Sequence, residues 1–163
     1  MRSTQVPERA LHISVVGAGT AAEPELALAQ AVGVEIARAG AVLVCGGLGG
    51  VMEAACRGAR RAGGRTVGII PGSDPAAANP WVEVVVASGI GHARNVLVVQ
   101  SGDAVVALAG SHGTRSEIAL ALKVGRPVVA LGGWDDVEGV VHAGTPQVAV
   151  AMAQRLIREP QAR

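Results

Sequence analysis

Short apolar runs alternate with helix-like segments along this chain, and glycine-rich turns separate the two. The runs are apolar on both faces, so each predicted strand must be covered on both sides. Such strands are typical of a parallel sheet whose strands are joined by right-handed helical crossovers. The pattern predicts an α/β fold: a single Rossmann-like domain with a mostly parallel sheet and helices on both faces. Strands are predicted at residues 11–16, 41–45, 66–70, 81–86, 104–109 and 127–131, a short apolar element at 137–142, and helices at 23–39, 51–62, 91–100, 114–124 and 146–158.

Length and composition limit the chain to one domain with an aliphatic core. The sequence has 163 residues, half of them apolar, yet it contains no Phe, no Tyr and only two Trp. A chain of this length buries one well-filled core and is too short for two ordinary domains. We expect a flexible N-terminal tail at residues 1–10 and one domain over residues 11–163.

Charge and hydropathy exclude several classes of partner. The net charge is +1, so no long-range field attracts nucleic acid or an anionic membrane. Residues 1–10 lack the apolar core of a signal peptide, and no apolar run is long enough to cross a bilayer. Cys45 and Cys56 lie in segments predicted to be interior, which favours free thiols. We therefore expect a soluble cytoplasmic protein with no membrane or nucleic-acid partner.

The turn at residues 110–117, Gly-Ser-His-Gly-Thr-Arg-Ser-Glu, is the best candidate for a ligand site. It lies between a predicted buried strand and a helix predicted to begin at Thr114. Unpaired backbone N–H groups and the helix dipole attract an anion at such a place, so we predict a bound phosphate or sulfate. His112 is either an exposed loop residue or a donor to that phosphate. The predicted phosphate-binding residues are Gly110, Ser111, His112, Gly113 and Thr114.

Glu117 and Arg94 each have two interpretations. Residues 114–117 match a Thr-x-x-Glu capping box, in which Glu117 binds the backbone of the helix start. Alternatively, the helix dipole keeps the Glu117 carboxylate ionised, which suits a base or a hydroxyl acceptor. Arg94 is predicted to begin a helix at the carboxyl edge of the sheet, where it either contacts the ligand or is a solvated surface residue.

Two further glycine turns follow the first and second predicted strands. Residues 17–22 fit the first half of a dinucleotide-binding fingerprint, but the acidic residue required at the end of the second strand is absent from residues 44–46. We therefore expect close approach to a ligand rather than an NAD site. The residues expected to approach the ligand are Gly17, Gly19, Thr20, Gly46, Gly47 and Gly49.

The sequence also argues against several cofactor chemistries. It has no P-loop motif, and its only lysine, Lys123, lies about two and a half helical turns from the glycine turn, too far for a Schiff base there. The four histidines and two cysteines show no paired spacing typical of a metal site. We expect no metal and no required cofactor.

Four segments, in order, resemble the LOG-like family, whose members were once labelled possible lysine decarboxylases. They are residues 46–53, 62–71, 94–95 and 110–117, and the match extends from residue 11 to residue 134. The Gly-Gly-Val-Met-Glu run and the Gly-Gly-Trp turn are most similar to the branch that contains the molybdenum cofactor carrier proteins. The resemblance implies a Rossmann-like parallel sheet, a homodimer or higher homo-oligomer, and a small phosphorylated ligand of the nucleoside monophosphate or molybdopterin type.

The resemblance implies two functions for the site. One is binding of that ligand at the carboxyl edge of the sheet, as a molybdenum cofactor carrier. The other is the activity of the hydrolase branch, a phosphoribohydrolase of the cytokinin-activating type that releases the free base from a nucleoside 5′-monophosphate. Arg94 and Glu117 match the catalytic arginine and glutamate of that branch, although residues 109–111 read Ala-Gly-Ser where the hydrolases have Pro-Gly-Gly. A third, single-strand DNA binding, follows from a distant resemblance to the DNA-processing protein A group, and the near-neutral charge argues against it.

Overall fold

The computed structural model describes residues 8–159, so residues 1–7 of the predicted tail and residues 160–163 lie outside the described residues. Within the described range there are seven strands and five α-helices, with short 3₁₀ turns at Pro75–Ala77 and Gly91–Ala93. The elements are β1 His12–Val16, α1 Glu23–Arg38, β2 Val42–Cys45, α2 Val51–Arg61, β3 Arg65–Ile70, β4 Val84–Ala87, α3 Arg94–Ser101, β5 Ala104–Ala107, α4 His112–Lys123, β6 Val128–Ala130, β7 Val141–His142 and α5 Pro146–Arg158. These α-helices separate all consecutive strands except β3 from β4 and β6 from β7.

The strands form one sheet in which every neighbouring pair is parallel, in the order β4-β3-β2-β1-β5-β6-β7. The chain moves outward from β1 to β4 and then crosses to β5 on the other side of β1. The strand order therefore reverses between β1 and β5, which pair from Ile13↔Ala104 to Val16↔Ala107. Open α/β sheets bind ligands outside the carboxyl ends of their strands at such a switch point. The predicted fold class is confirmed, and its switch point lies at the loops after β1 and β5.

Helices cover both faces of the sheet, as the apolar strands require. Side chains from α1, α2 and α5 pack on one face, around Val15 and Leu43. Side chains from α3 and α4 pack on the other face, around Val16 and Val44. Neighbouring residues of one strand thus lie in opposite layers, because side chains alternate along a strand. No helix in residues 8–159 has the length and apolar character needed to cross a membrane.

Helices α1 and α2 approach each other backbone to backbone. A Cβ atom at Gly33 would overlap the carbonyl oxygen of Ala55, and one at Gly58 would overlap the carbonyl oxygen of Gln30. Only glycine, which has no Cβ atom, allows the two helix backbones to approach this closely at both positions. The crossing fixes the start of α2, and with it the glycine turn after β2, against the loop after β1.

Most predicted elements have slightly different bounds in the structure. α3 begins at Arg94, after the 3₁₀ turn at Gly91–Ala93, rather than at residue 91, and β7 spans only Val141–His142 of the predicted 137–142. β4 begins at Val84 rather than residue 81, because the Asn79 side chain accepts a 3.0 Å hydrogen bond from the Trp81 N–H and holds a turn there. β5 ends at Ala107 rather than residue 109. α4 begins at His112 rather than Thr114, and this change alters the interpretation of the site.

Candidate functional site

The loop after β1, the turn after β2 and the turn after β5 meet at the carboxyl edge of the sheet. The Ala18 N–H donates to the Ala109 carbonyl at 3.1 Å, and the Val51 N–H donates to the Ala18 carbonyl at 3.0 Å. Glycine is required at the contact, because a Cβ atom at Gly50 would lie 2.5 Å from the backbone of Gly19. Three segments that are separate in sequence therefore form one backbone-lined surface at the switch point.

The start of α4 keeps its first N–H groups free of side-chain caps. Ser111 is the N-cap residue in an extended conformation, and its hydroxyl forms no capping hydrogen bond. The N–H groups of His112, Gly113 and Thr114 therefore lack intrahelical partners. Ser111, His112 and Gly113 are exposed. The helix start therefore has the free N–H groups and the dipole that attract an anion, but it lies at His112, two residues earlier than the sequence indicates.

The predicted capping box at residues 114–117 is wrong. Because α4 begins at His112, Thr114 and Glu117 both lie inside the helix, with 4% and 8% of their surfaces exposed. Thr114 packs against Gly110, where a Cβ atom would overlap the threonine side chain. Glu117 is thereby freed from a capping role and is buried on the α3 side of the sheet.

Arg94 and Glu117 are both buried, and each lies close enough for its charge to shift the pKa of the other, without an ion pair between them within 4.0 Å. Arg94 is only 7% exposed, so its interpretation as a solvated surface residue is wrong. Its Nη1 donates to the Asn95 side chain, its Nη2 lies 3.5 Å from the Gly46 carbonyl oxygen, and its buried Nε has no partner within residues 8–159. A Cβ atom at Gly46 would lie 2.8 Å from Nη2, so Gly46 makes room for the guanidinium.

Burial disfavours the ionised form of Glu117. Loss of water raises its pKa to about 7, although the positive charge of Arg94 lowers it. The expectation that the helix dipole keeps this carboxyl ionised is therefore wrong, because Glu117 lies beyond the first turn, where the dipole is strongest. Burial likewise lowers the pKa of Arg94, and Glu117 raises it. A carboxyl group that titrates near neutral pH can act as a proton donor or acceptor.

Cys45 and Cys56 are free, as predicted, but they are also in contact. Their sulfur atoms lie 3.5 Å apart, and the Gly47 N–H donates to the Cys45 sulfur at 3.3 Å. The hydrogen bond with Cys56 lowers the pKa of Cys45, against the effect of burial. The pair fixes the end of β2 on α2 beneath Gly46.

Two cavities flank the loop after β1 on the side of α1 and α2. The larger, about 480 Å³, lies between this loop and the β5 turn and is also lined by Glu25. The smaller, about 270 Å³, lies between the loop and α2 and is lined by Glu53 and Arg57. Both are lined by residues 19–21, so they lie on either side of the same loop. Pockets for small ligands have volumes of this order.

The structure divides the predicted site residues between two places. Gly19, Thr20, Gly110 and Ser111 line the larger cavity. Gly46 is buried against the Arg94 guanidinium and Gly47 against Ile70 and Gly68, while Arg94 and Glu117 line neither cavity. The remaining predicted residues lie around these two places. Gly17 packs against Val51, and Gly49 packs against the Gly19 carbonyl. His112 and Gly113 are exposed at the start of α4, and Thr114 is buried.

The sequence did not identify the three charged residues that line the cavities, Glu25, Glu53 and Arg57. Arg57 is half-buried, and its Nε donates to the Gln30 side chain at 2.9 Å. The sequence signal that could identify two of them is the spacing of Glu53 and Arg57, which lie four residues apart at the start of the helix that follows the glycine turn. Within residues 8–159, no group of three or more His, Cys, Asp or Glu side chains is placed to hold a metal ion.

Known proteins resemble this chain over almost its whole length. Residues 10–157 match the model of the SLOG cluster4 family. An uncharacterized protein of Archaeoglobus fulgidus is 44% identical over 140 residues, which cover 86% of this chain and 92% of that protein. The molybdenum cofactor binding protein from Rippkaea orientalis has a similar structure, with a TM-score of 0.88 and 34% identity over 93% of this chain and 99% of that one. The molybdenum cofactor carrier protein of Chlamydomonas reinhardtii gives a TM-score of 0.83 and 34% identity over 92% and 99% of the two chains.

Proposed function

The chain belongs to the SLOG cluster4 family, in agreement with its resemblance to LOG-like proteins, and we propose that it binds a phosphorylated, nucleotide-like ligand of the molybdopterin type. The observation that carries this proposal is the meeting of the β1 loop and the β5 turn at the switch point, beside the uncapped start of α4. The names of the two similar structures, a molybdenum cofactor binding protein and a molybdenum cofactor carrier protein, support a pterin ligand. A carrier role follows from this proposal.

The phosphate of the ligand is proposed to lie at the start of α4. There, N–H groups of His112, Gly113 and Thr114 donate to phosphate oxygens, and the helix dipole contributes about half a positive charge. The Ser111 hydroxyl is exposed and makes no capping bond, so it is available as a further donor. A Cβ atom at Gly113 would meet no atom within 4 Å, which leaves open space for the phosphate.

The rest of the ligand is proposed to lie across the loop after β1, in the two cavities that residues 19–21 line. Their walls there are mostly backbone, because residues 18–22 are small. Bare backbone offers N–H and carbonyl groups to a polar heterocycle and allows it to approach closely. A flat ring system attached to a phosphate has a shape that these two cavities and the adjacent start of α4 can accept.

A second function, hydrolysis of a nucleoside 5′-monophosphate, is favoured by one specific observation, the buried Arg94–Glu117 pair with a carboxyl pKa of about 7. In that reaction, ionised Glu117 would take a proton from a water molecule that attacks C1′ of the ribose, and the bond to the base would break with its electrons on the base. Arg94 would bind a ribose or phosphate oxygen. Because neither residue lines the two cavities, the ligand would have to reach below the glycine turns.

Calorimetric titration of ribose 5-phosphate into the native protein and Gly113→Asp tests the binding proposal. Asp in the first turn of a helix is compatible with the helix dipole, so the variant should fold, but its charge repels a phosphate. We expect saturable binding to the native protein and about tenfold weaker binding to Gly113→Asp. The matched control is Gly144→Asp, at an exposed glycine that also has open space and lies outside both cavities. Absence of binding to the native protein, or equal loss in both variants, would overturn the proposal.

Incubation with AMP and measurement of free adenine separates carrier from hydrolase. Saturable binding without adenine release supports a carrier. Release that is abolished in Glu117→Gln supports the hydrolase, whereas release that is unchanged in Glu117→Gln removes Glu117 from catalysis.

A further inference from the structure

We infer that Glu53 and Arg57 recognise the ring end of the ligand and select a heterocycle with a 2-amino-4-oxo-pyrimidine edge, as in guanine or a pterin. This inference rests on the proposed function, because it concerns the ring of a ligand whose phosphate lies at the start of α4. Both residues line the smaller cavity. They are four residues apart in α2, so they lie one turn apart on the same face of that helix.

The carboxylate of Glu53 is available to a ligand. It forms no hydrogen bond or ion pair with another group in the part of the chain that the structure describes, although it is half-buried at the cavity wall. Its neighbour Arg57, at the spacing that usually forms an ion pair, is instead held by the 2.9 Å hydrogen bond from its Nε to Gln30. The carboxylate therefore faces the cavity without a protein partner, and N–H donors of a ligand can replace the water bound to it.

The position of Glu53 is fixed by the fold. It is the third residue of α2, and α2 begins directly after Gly50, whose positive φ of 62° and contact with Gly19 bind the helix start to the loop after β1. The Val51 N–H bond to the Ala18 carbonyl reinforces this contact. The carboxylate is therefore on a rigid element beside the loop that lines both cavities.

The chemistry of the pair matches one ring edge. A 2-amino-4-oxo-pyrimidine presents an exocyclic NH₂ group, a ring N–H and a carbonyl oxygen in a row. The two N–H groups point in parallel toward a carboxylate, which accepts both, and the guanidinium of Arg57 one turn away has further N–H groups for the carbonyl. Adenine presents a ring nitrogen lone pair where this edge has its N–H, and that lone pair would face the Glu53 carboxylate. The pair therefore selects guanine-type rings over adenine.

Titration of GMP, IMP, AMP and ribose 5-phosphate into the native protein, Glu53→Gln and Glu138→Gln tests the inference. IMP lacks only the 2-amino group of GMP, so the difference in affinity between these two ligands measures the contribution of that hydrogen-bond donor. We expect the native protein to bind GMP about tenfold more tightly than IMP or AMP, because a hydrogen bond to a charged group is lost in each case. We expect Glu53→Gln to lose this preference and to bind ribose 5-phosphate as the native protein does.

The control variant Glu138→Gln removes the same charge from an exposed position outside both cavities and should keep the preference for GMP. Circular dichroism establishes that both variants are folded. Equal binding of the three nucleotides by the native protein, or a preference for GMP that persists in Glu53→Gln, would overturn the inference. If the native protein still binds ribose 5-phosphate in that case, the proposed function remains intact. If the native protein binds neither ribose 5-phosphate nor any nucleotide, the proposed function and the inference both fail.

Discussion

At the residue scale, the properties of Glu117 come from burial and from Arg94. Its pKa is raised to about 7 from an ordinary value of 4.5, and loss of water is the main cause. Between these two pH values the folded protein binds a proton at Glu117 that the unfolded chain does not. The contribution of this proton to stability is fully present below pH 4.5 and is lost as the pH rises through about 7.

Glu117→Gln should remove this pH dependence. We expect native stability, relative to that of the variant, to fall by up to about 3 kcal/mol between pH 4.5 and 8, since each unit of pKa shift corresponds to about 1.4 kcal/mol. Urea unfolding of both proteins at pH 4.5, 5.5, 6.5 and 8 measures the difference, and subtraction removes all other titrating groups. A constant difference across this range would show that Glu117 titrates normally in the folded protein.

Motifs in the sequence identify Arg94 and Glu117, but they do not give the chemical state of either residue. That state depends on contacts between distant segments, such as the approach of Arg94 to Gly46, 48 positions apart. Glu53 and Arg57 were missed for a related reason. Their role as cavity-wall residues depends on which face of α2 meets the loop after β1, and this face is set by the helix crossing.

At the element scale, the crossing of α1 and α2 depends on two glycines. Gly33→Ala would place its Cβ atom on the Ala55 carbonyl oxygen, which is backbone and cannot rotate away. We expect a loss of about 1–3 kcal/mol in the free energy of unfolding, because the helices must separate to relieve the overlap. Thermal and urea unfolding measure the loss.

The control for this prediction is Gly113→Ala. It also lies in a helix, but a Cβ atom there meets no atom within 4 Å, so stability should be unchanged or slightly higher. Equal stability of Gly33→Ala and the native protein would mean that the two helices are not held at this distance in solution.

Local signals explain which element bounds are predictable from the sequence. α5 begins and ends where predicted, because Thr145 caps it through a 3.2 Å hydrogen bond from the Val148 N–H and Pro146 occupies its first position. α4 has no such cap. Its Thr-x-x-Glu motif indicates a start at Thr114, whereas the structure packs Thr114 against Gly110 and starts the helix at His112.

At the scale of the whole molecule, the sequence predicts the fold class but not the strand order. Alternating apolar strands and helices require parallel pairing, yet several orders satisfy that requirement. The place of the site follows only from the order, since the loops after β1 and β5 become neighbours because β5 pairs with β1. The sequence identifies each glycine turn separately, but it does not show that the turns contact one another.

An apolar patch on the β4 edge of the sheet remains outside the core. Val84 and Val86 pair in register with Val67 and Ile69, which belong to the α3 and α4 layer, so all four side chains lie on that face. The patch consists of Val84, Val86, Ile90 and Leu97, which are 38–50% exposed. Exposed apolar groups of this kind are typical of protein interfaces.

We predict that this patch forms the interface of a homodimer and that Val86→Glu converts the dimer to a monomer. A charge placed in the middle of an apolar interface loses its water without gaining a partner, which weakens association strongly. Light scattering coupled to size-exclusion chromatography measures the mass, and the control is Val148→Glu, which adds the same charge at an exposed valine on α5. The monomer should keep its circular dichroism spectrum, and it should still bind ribose 5-phosphate because no patch residue lines either cavity. A native protein that is monomeric at all concentrations, or a dimer that survives Val86→Glu, would show that the patch is not the interface.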